Sequence, residues 1–184
     1  MDTGASSYHR FLEGDKNGIV EIIRDYKDGL ILYIYRITGN FSLSEEIAED
    51  AFFRIYTRKP KFSGKSSFKT WLYTIGRNRA LNYMRYKKHF TDTALDECTG
   101  ISDAADLETD YIRKHQSAEV RSAMQKLRSD YRQVLYLVFF EEFSNEDTAK
   151  IMHKSKRQVE MLIYRGKQAL RKQLEKEGFH YEEL

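Results

Sequence analysis

Apolar residues recur at three- and four-residue spacing along most of this chain, and no useful stretch alternates apolar with polar. Ile19, Ile22, Ile23, Tyr26, Leu30, Tyr33, Ile34 and Ile37 mark one face of a long amphipathic helix that Gly39-Asn40 should stop. Ser42 and Glu45 have capping-box spacing and open a second helix. Ile47, Ala51, Phe52, Ile55 and Tyr56 carry it on until Pro60 ends it. Lys61 to Ser66 reads as a loop, and Ser66 or Ser67 can cap a third helix with the stripe Phe68, Trp71, Leu72 and Ile75. The far end repeats the logic with Val134, Leu135, Val138 and Phe139, a break at Phe143-Ser144, then two more helices. The pattern predicts an all-α protein.

Composition narrows this. The chain has 184 residues, 41% hydrophobic and 14% aromatic, with one proline and ten glycines. That supports packed cores and long helices rather than a turn-rich β-protein. The single cysteine, Cys98, excludes an intrachain disulfide framework. No run approaches the roughly 18 apolar residues of a membrane span, and the polar start lacks a signal peptide's basic and apolar regions. The expectation is a cytoplasmic protein without membrane insertion. Net charge is +3, but residues 1–90 carry +6, residues 91–118 carry −5 and residues 119–184 carry +2. The acidic strip Thr91–Ser117 has few large apolar residues. We therefore expect two small helical domains, 1–90 and 118–184, joined by an acidic linker over 91–117.

From Ala51 to Thr91 there is no Asp or Glu, although the chain's average would place about six there. The same window holds eleven basic and ten aromatic side chains. A face without carboxylates keeps its positive potential and can displace counterions from a phosphate backbone. Rings among cations suit single-stranded nucleic acid, because an unstacked base gains about 1–3 kcal/mol on an aromatic face. Phe52, Tyr56, Phe68 and Trp71 lie at core spacing; Phe62, Tyr73, Tyr83 and Tyr86 lie off the stripe and are expected to be available. Gly64-Lys65-Ser66 imitates the end of a phosphate-binding loop, but Lys59 stands where that motif needs glycine.

At the other end, Ser144-Asn145-Glu146-Asp147 opens a short helix, His153-Lys154 makes a turn, and Ser155 can cap a longer helix. This is helix-turn-helix spacing, in which the second helix enters the major groove. Ser155, Lys156, Arg157, Gln158 and Met161 occupy its first turns. Gln158 could bond adenine, while Lys156, Arg157 and Arg165 suit phosphates.

Taken in order, the long helix, Ala48-Glu49-Asp50-Ala51-Phe52-Phe53-Arg54-Ile55-Tyr56, Phe62-Ser63-Gly64, Trp71 to Asn78 and Arg85 resemble region 2 of the extracytoplasmic-function (ECF) group of the sigma-70 family. Leu127 to Leu174 is similar to that family's region 4. The chain departs from the usual pattern at Phe53, Asn82, Arg128 and Gln158-Val159-Glu160. The resemblance implies an RNA polymerase sigma factor that directs promoter-specific initiation. Glu49, Asp50, Phe53 and Arg54 would bind the clamp helices of the core polymerase's largest subunit, and the second domain would meet its flap. Phe62, Ser63, Lys65, Trp71, Asn78, Arg79, Asn82 and Arg85 would hold the melted −10 element. Ser155, Lys156, Arg157, Gln158, Met161 and Arg165 would read the −35 element as duplex. The acidic linker would follow the RNA exit path, and an anti-sigma factor is the usual further partner. The chief alternative is a dimeric helix-turn-helix regulator with an N-terminal sensing domain. His9, His89, His115, His153 and His180 are scattered, so neither catalysis, a metal site nor a cofactor is expected.

Overall fold

The structure, a computed structural model, describes residues 2–91 and 118–178, all of whose regular elements are helices. They are α1 (Thr3–Leu12), α2 (Asn17–Thr38), α3 (Phe41–Arg58), α4 (Phe68–Thr91), α5 (Ala118–Gln125), α6 (Ser129–Phe139), α7 (Asn145–Met152) and α8 (Lys156–Lys176). Residues 92–117 of the expected acidic linker, Cys98 among them, lie outside the described residues.

Local chemistry sets most boundaries. Gly39 takes the left-handed conformation (φ 69°) that ends α2. The cap of α3 is Asn40, whose Oδ1 accepts from Leu43 N at 2.9 Å. Ser42 therefore sits inside the helix instead of capping it, because the left-handed turn at Gly39 delivers the chain extended at the very next residue. Lys59 (φ 43°) closes α3 just before Pro60. Ser67 caps α4, its Oγ accepting from Thr70 N at 3.1 Å. The helix α1, which periodicity had not indicated, is capped by Asp2; one carboxylate oxygen accepts from Ala5 N and the other from Phe68 N at 2.6 Å. A single side chain thus caps α1 and the start of α4.

The hydrophobic α2 is the central rod. Leu30, Tyr33 and Ile34 are completely buried, with Ile55 of α3 and Phe68 and Leu72 of α4 packed around them. Gly76 of α4 permits the close approach to α2, since a Cβ there would lie 2.7 Å from Leu30 Cδ1. In the second group, Val134, Leu137, Ile151 and Val159 close the helix-turn-helix core, and Gly166 of α8 lies against Leu135.

The two groups share one continuous core. Tyr33 of α2 stacks on Tyr73 (5.5 Å) and on Tyr136 of α6 (6.4 Å), and Tyr73 meets Phe143 edge-on at 5.1 Å. Tyr73 is 1% exposed, contrary to the expectation from the sequence. Tyr73 lies off the Phe68–Trp71–Leu72–Ile75 stripe, yet it is covered between Tyr33 of α2 and Phe143 in the turn before α7. Phe139, expected on a buried stripe, is instead 47% exposed under Lys167, whose ammonium sits 4.6 Å above its ring.

Candidate nucleic-acid interface

The loop from Lys61 to Ser67 rests on a floor of rings. Phe62 packs against Phe68 (5.7 Å) and Trp71 (5.4 Å), and Tyr8 supports Trp71 from α1 at 5.4 Å. Tyr8 is fixed by its hydroxyl, which donates to Pro60 O at 2.6 Å, and burial pushes its phenol up to about 12. Above this floor Ser63, Gly64 and Lys65 are exposed, Gly64 in a left-handed turn (φ 68°). Phe62 and Trp71 are partly covered rather than free, so each can offer only an edge or part of a face.

Beyond the loop, α4 presents Asn78, Asn82 and Arg85 at i, i+4 and i+7, one exposed stripe. Tyr83 (42% exposed) and Tyr86 (64%) flank it. Of the eleven cations in the carboxylate-free window, seven are exposed: Arg58, Lys59, Lys61, Lys65, Arg85, Lys87 and Lys88. The remaining four are half-buried and engaged. Lys69 pairs with Glu141 at 2.8 Å, Arg77 donates to Gln133 Oε1 at 3.0 Å, and Arg54 lies 3.6 Å from Asp50. Arg79 is ion-paired with the same Asp50, and burial lowers its pKa from the ordinary guanidinium value.

The outer face of α3 carries Glu49, Phe53 and Tyr56; Phe53 is 64% exposed and Tyr56 47%, two large rings left in water. Glu49 reaches Lys27 only loosely, at 3.8 Å.

In the helix-turn-helix, Ser155 completes a capping box with Gln158: Ser155 Oγ accepts from Gln158 N, and Gln158 Oε1 accepts from Ser155 N at 2.8 Å. Gln158 is exposed but already spends its carbonyl on the helix, so pairing with adenine requires giving up half the box. Lys156 pairs with Glu146 of α7 at 2.7 Å, an exposed contact that raises the ammonium pKa and lowers the carboxyl's. Arg157, Glu160, Met161 and Arg165 are exposed, with Glu160 also acting on the Lys156 charge. Tyr164, 62% exposed one turn beyond Met161 and Glu160, joins that surface; its i+3 spacing from Met161 is the sequence signal that places it there.

These surfaces sit on segments with known counterparts. Residues 22–90 match the family described as Sigma-70 region 2, and residues 117–170 match Sigma-70, region 4. The ECF RNA polymerase sigma factor SigW of Bacillus subtilis is 31% identical over 171 residues, covering 88% of this chain and 91% of that protein. The chain belongs to the ECF group of the sigma-70 family.

It is an RNA polymerase sigma factor of that group, with α2–α4 in region 2 and α5–α8 in region 4. RNA polymerase sigma factor YlaC of B. subtilis is also similar, 28% identical over 88% of this chain and 94% of its own length. Among solved structures, the sigma factor RpoE of Bartonella quintana, crystallised with the anti-sigma factor NepR, shares the fold at TM-score 0.66 and 20% identity, covering 84% of this chain and 95% of that one. A sensing-domain regulator is not favoured, since region 2 occupies the place where its ligand-binding domain would stand. No described helix is long and apolar enough to cross a membrane.

Proposed function

We propose that this sigma factor binds core polymerase through Glu49, Phe53 and Tyr56 on the outer face of α3, with Asp50 and Arg54 holding that helix to α4. The loop around Phe62, Ser63 and Lys65 then receives a base flipped from the melted −10 element. Asn78, Asn82 and Arg85 follow the adjoining strand, and Trp71 supports the loop from below. Opening costs a few kcal/mol per unstacked step, and a surface that binds only the open strand shifts that equilibrium. Region 4 reads the −35 duplex with Arg157, Glu160 and Met161, while Lys156 and Arg165 hold phosphates. Glu160 can accept from the exocyclic amine of cytosine.

The observation that carries this reading is the exposed Asn78–Asn82–Arg85 stripe continuing from a ring-floored, carboxylate-free loop. It is the surface a single strand needs. The chain supplies no catalysis and works in the cytoplasm, where the polymerase is. An anti-sigma factor is a natural partner, as NepR is in the complex of the structural neighbour. The test is reconstituted transcription with core polymerase on a randomised promoter library. Enrichment of one −10/−35 pair is expected; transcripts unchanged by adding the protein would overturn the assignment.

A further inference from the structure

The Lys61–Ser67 loop does little to hold its own shape. Among the described residues, no backbone N–H from Lys61 to Ser66 bonds to another backbone group. Ser66 Oγ donates to the carbonyl of its neighbour Ser67 at 3.3 Å, a contact that fixes nothing beyond itself. The path of the chain is therefore set where it leaves α3 and where it joins α4.

The helix α1 touches both places. At the far end of the loop, Tyr8 lies against Phe68 and Trp71, each 5.4 Å between ring centres. At the near end, Phe11 stacks on Tyr56 at 5.8 Å, with the Lys59 ammonium 5.0 Å from its ring. The Tyr8 hydroxyl also donates to Pro60 O at 2.6 Å. α1 is a firm base for these contacts. Tyr8 and Phe11 are buried, Ser7 Oγ donates to Glu21 of α2 at 2.6 Å, and Arg10 is ion-paired with the same carboxylate. The helix lies ahead of the segment 22–90 that matches region 2.

The Pro60 carbonyl is the sensitive point. Lys59 is held left-handed (φ 43°) with its N–H on Ile55 O at 3.1 Å. The proline ring fixes the φ of residue 60 near about −65°. Rotation about ψ of Pro60 is then the first soft torsion between α3 and the loop, and it turns the very carbonyl that Tyr8 holds. A turn of about 30° there would carry a side chain two residues on, about 7 Å away, through up to roughly 3 Å. Displacements of about 1 Å already matter for a group that must meet its target in one geometry.

We propose that Tyr8 is a positioning residue for base capture: by fixing the Pro60 carbonyl, its hydroxyl sets the direction in which the loop leaves α3, and so the place where Phe62 and the exposed Ser63–Lys65 tip meet a flipped base. This rests on the base-capturing reading of the loop given above. Tyr8 itself touches no DNA, and its ring serves the core whether or not the hydroxyl is present.

The test removes the hydroxyl and keeps the ring. Holoenzyme assembled from core polymerase with wild type or Tyr8→Phe is titrated, by fluorescence anisotropy, onto a short labelled non-template strand carrying the −10 sequence selected from the promoter library. The same strand is also made with a single abasic site at each −10 position in turn. In wild type one position should stand out, marking the base taken by the loop. Tyr8→Phe should bind the intact strand about fivefold more weakly, yet match wild type on the strand that is abasic at that position. Equal losses on intact and abasic strands would show the hydroxyl serving the fold rather than the base, and equal affinities throughout would show it idle; either result overturns the positioning role and leaves base capture standing. A wild type indifferent to every abasic site overturns base capture itself, and the positioning role with it.

Discussion

Arg79 of α4 is ion-paired with Asp50 of α3, so the helix proposed to follow the −10 strand is fastened to the helix proposed to meet polymerase by groups drawn from both predicted surfaces. Arg54 approaches the same carboxylate from one turn away. The carboxylate next to the basic window in sequence is thereby neutralised, and the guanidinium is turned toward the protein.

Arg79→Ala should therefore act on stability as much as on DNA. Removing one partner leaves Asp50 with only the more distant Arg54, and a partly exposed pair of this kind is worth about 1 kcal/mol after solvent screening. The melting temperature should fall by about 2–4 °C. A double-mutant cycle with Asp50→Ala should show coupling; strict additivity would mean that the two groups act independently.

Phe62→Ala should lower open-complex formation while sparing binding to closed duplex. The ring also packs on Phe68 and Trp71, so a loss of about 1 kcal/mol in stability is expected, well below that of a fully buried Phe. Permanganate reactivity of promoter thymines reads opening directly. Equal losses in opening and duplex binding would argue against base capture by this loop.

In the recognition helix, the salt dependence of duplex binding should separate the cations. Arg157→Ala and Arg165→Ala should each flatten the slope by about 0.9. Lys156→Ala should flatten it less, because Lys156 exchanges Glu146 for a phosphate rather than simply releasing counterions. Glu146→Gln should move Lys156 toward the behaviour of the arginines.

Glycine positions predict an order of thermal stability. A Cβ at Gly18 would meet the backbone carbonyl of Ser7, which cannot rotate away, whereas at Gly166 it would meet only Leu135 side-chain atoms at 3.3 Å. Gly18→Ala should cost at least 1–3 kcal/mol, while Gly166→Ala should cost less and could even gain from better helix propensity. Thermal melts of the two variants decide the ranking.

Burial raises the phenols of Tyr8 and Tyr33 above their ordinary value near 10. The folded state holds these protons more tightly than the unfolded one. Their contribution is thus intact below about pH 10 and drains away as pH rises through the folded value, about 12 for Tyr8. Stability measured from pH 9 to 12 should fall, and Tyr8→Phe should fall less steeply than wild type.

The outline of the helix-turn-helix was legible because its signals are local: Ser144 and Ser155 cap the helices expected of them, and His153 forms the turn. The long α2 and the carboxylate-free window were equally plain. What single-chain periodicity missed depends on partners distant in sequence. Tyr73 is buried by Phe143 and Tyr33, neither near it in the chain, and Asn40 took the cap from Ser42 because Gly39 turned one residue earlier. Likewise Gln158 is a plausible base reader by position, yet its carbonyl is committed to Ser155. Local rules gave residue type and place; the tertiary fold decided which groups were still free.

The doubled cap at Asp2 ties the beginning of the chain to the start of α4, some sixty-six residues away. Trimming the first few residues, or replacing Asp2 with alanine, would unfasten the start of α4 beneath the Lys61–Ser67 loop without touching any of the proposed DNA contacts. Tags for purification or labelling of this protein belong at its other terminus.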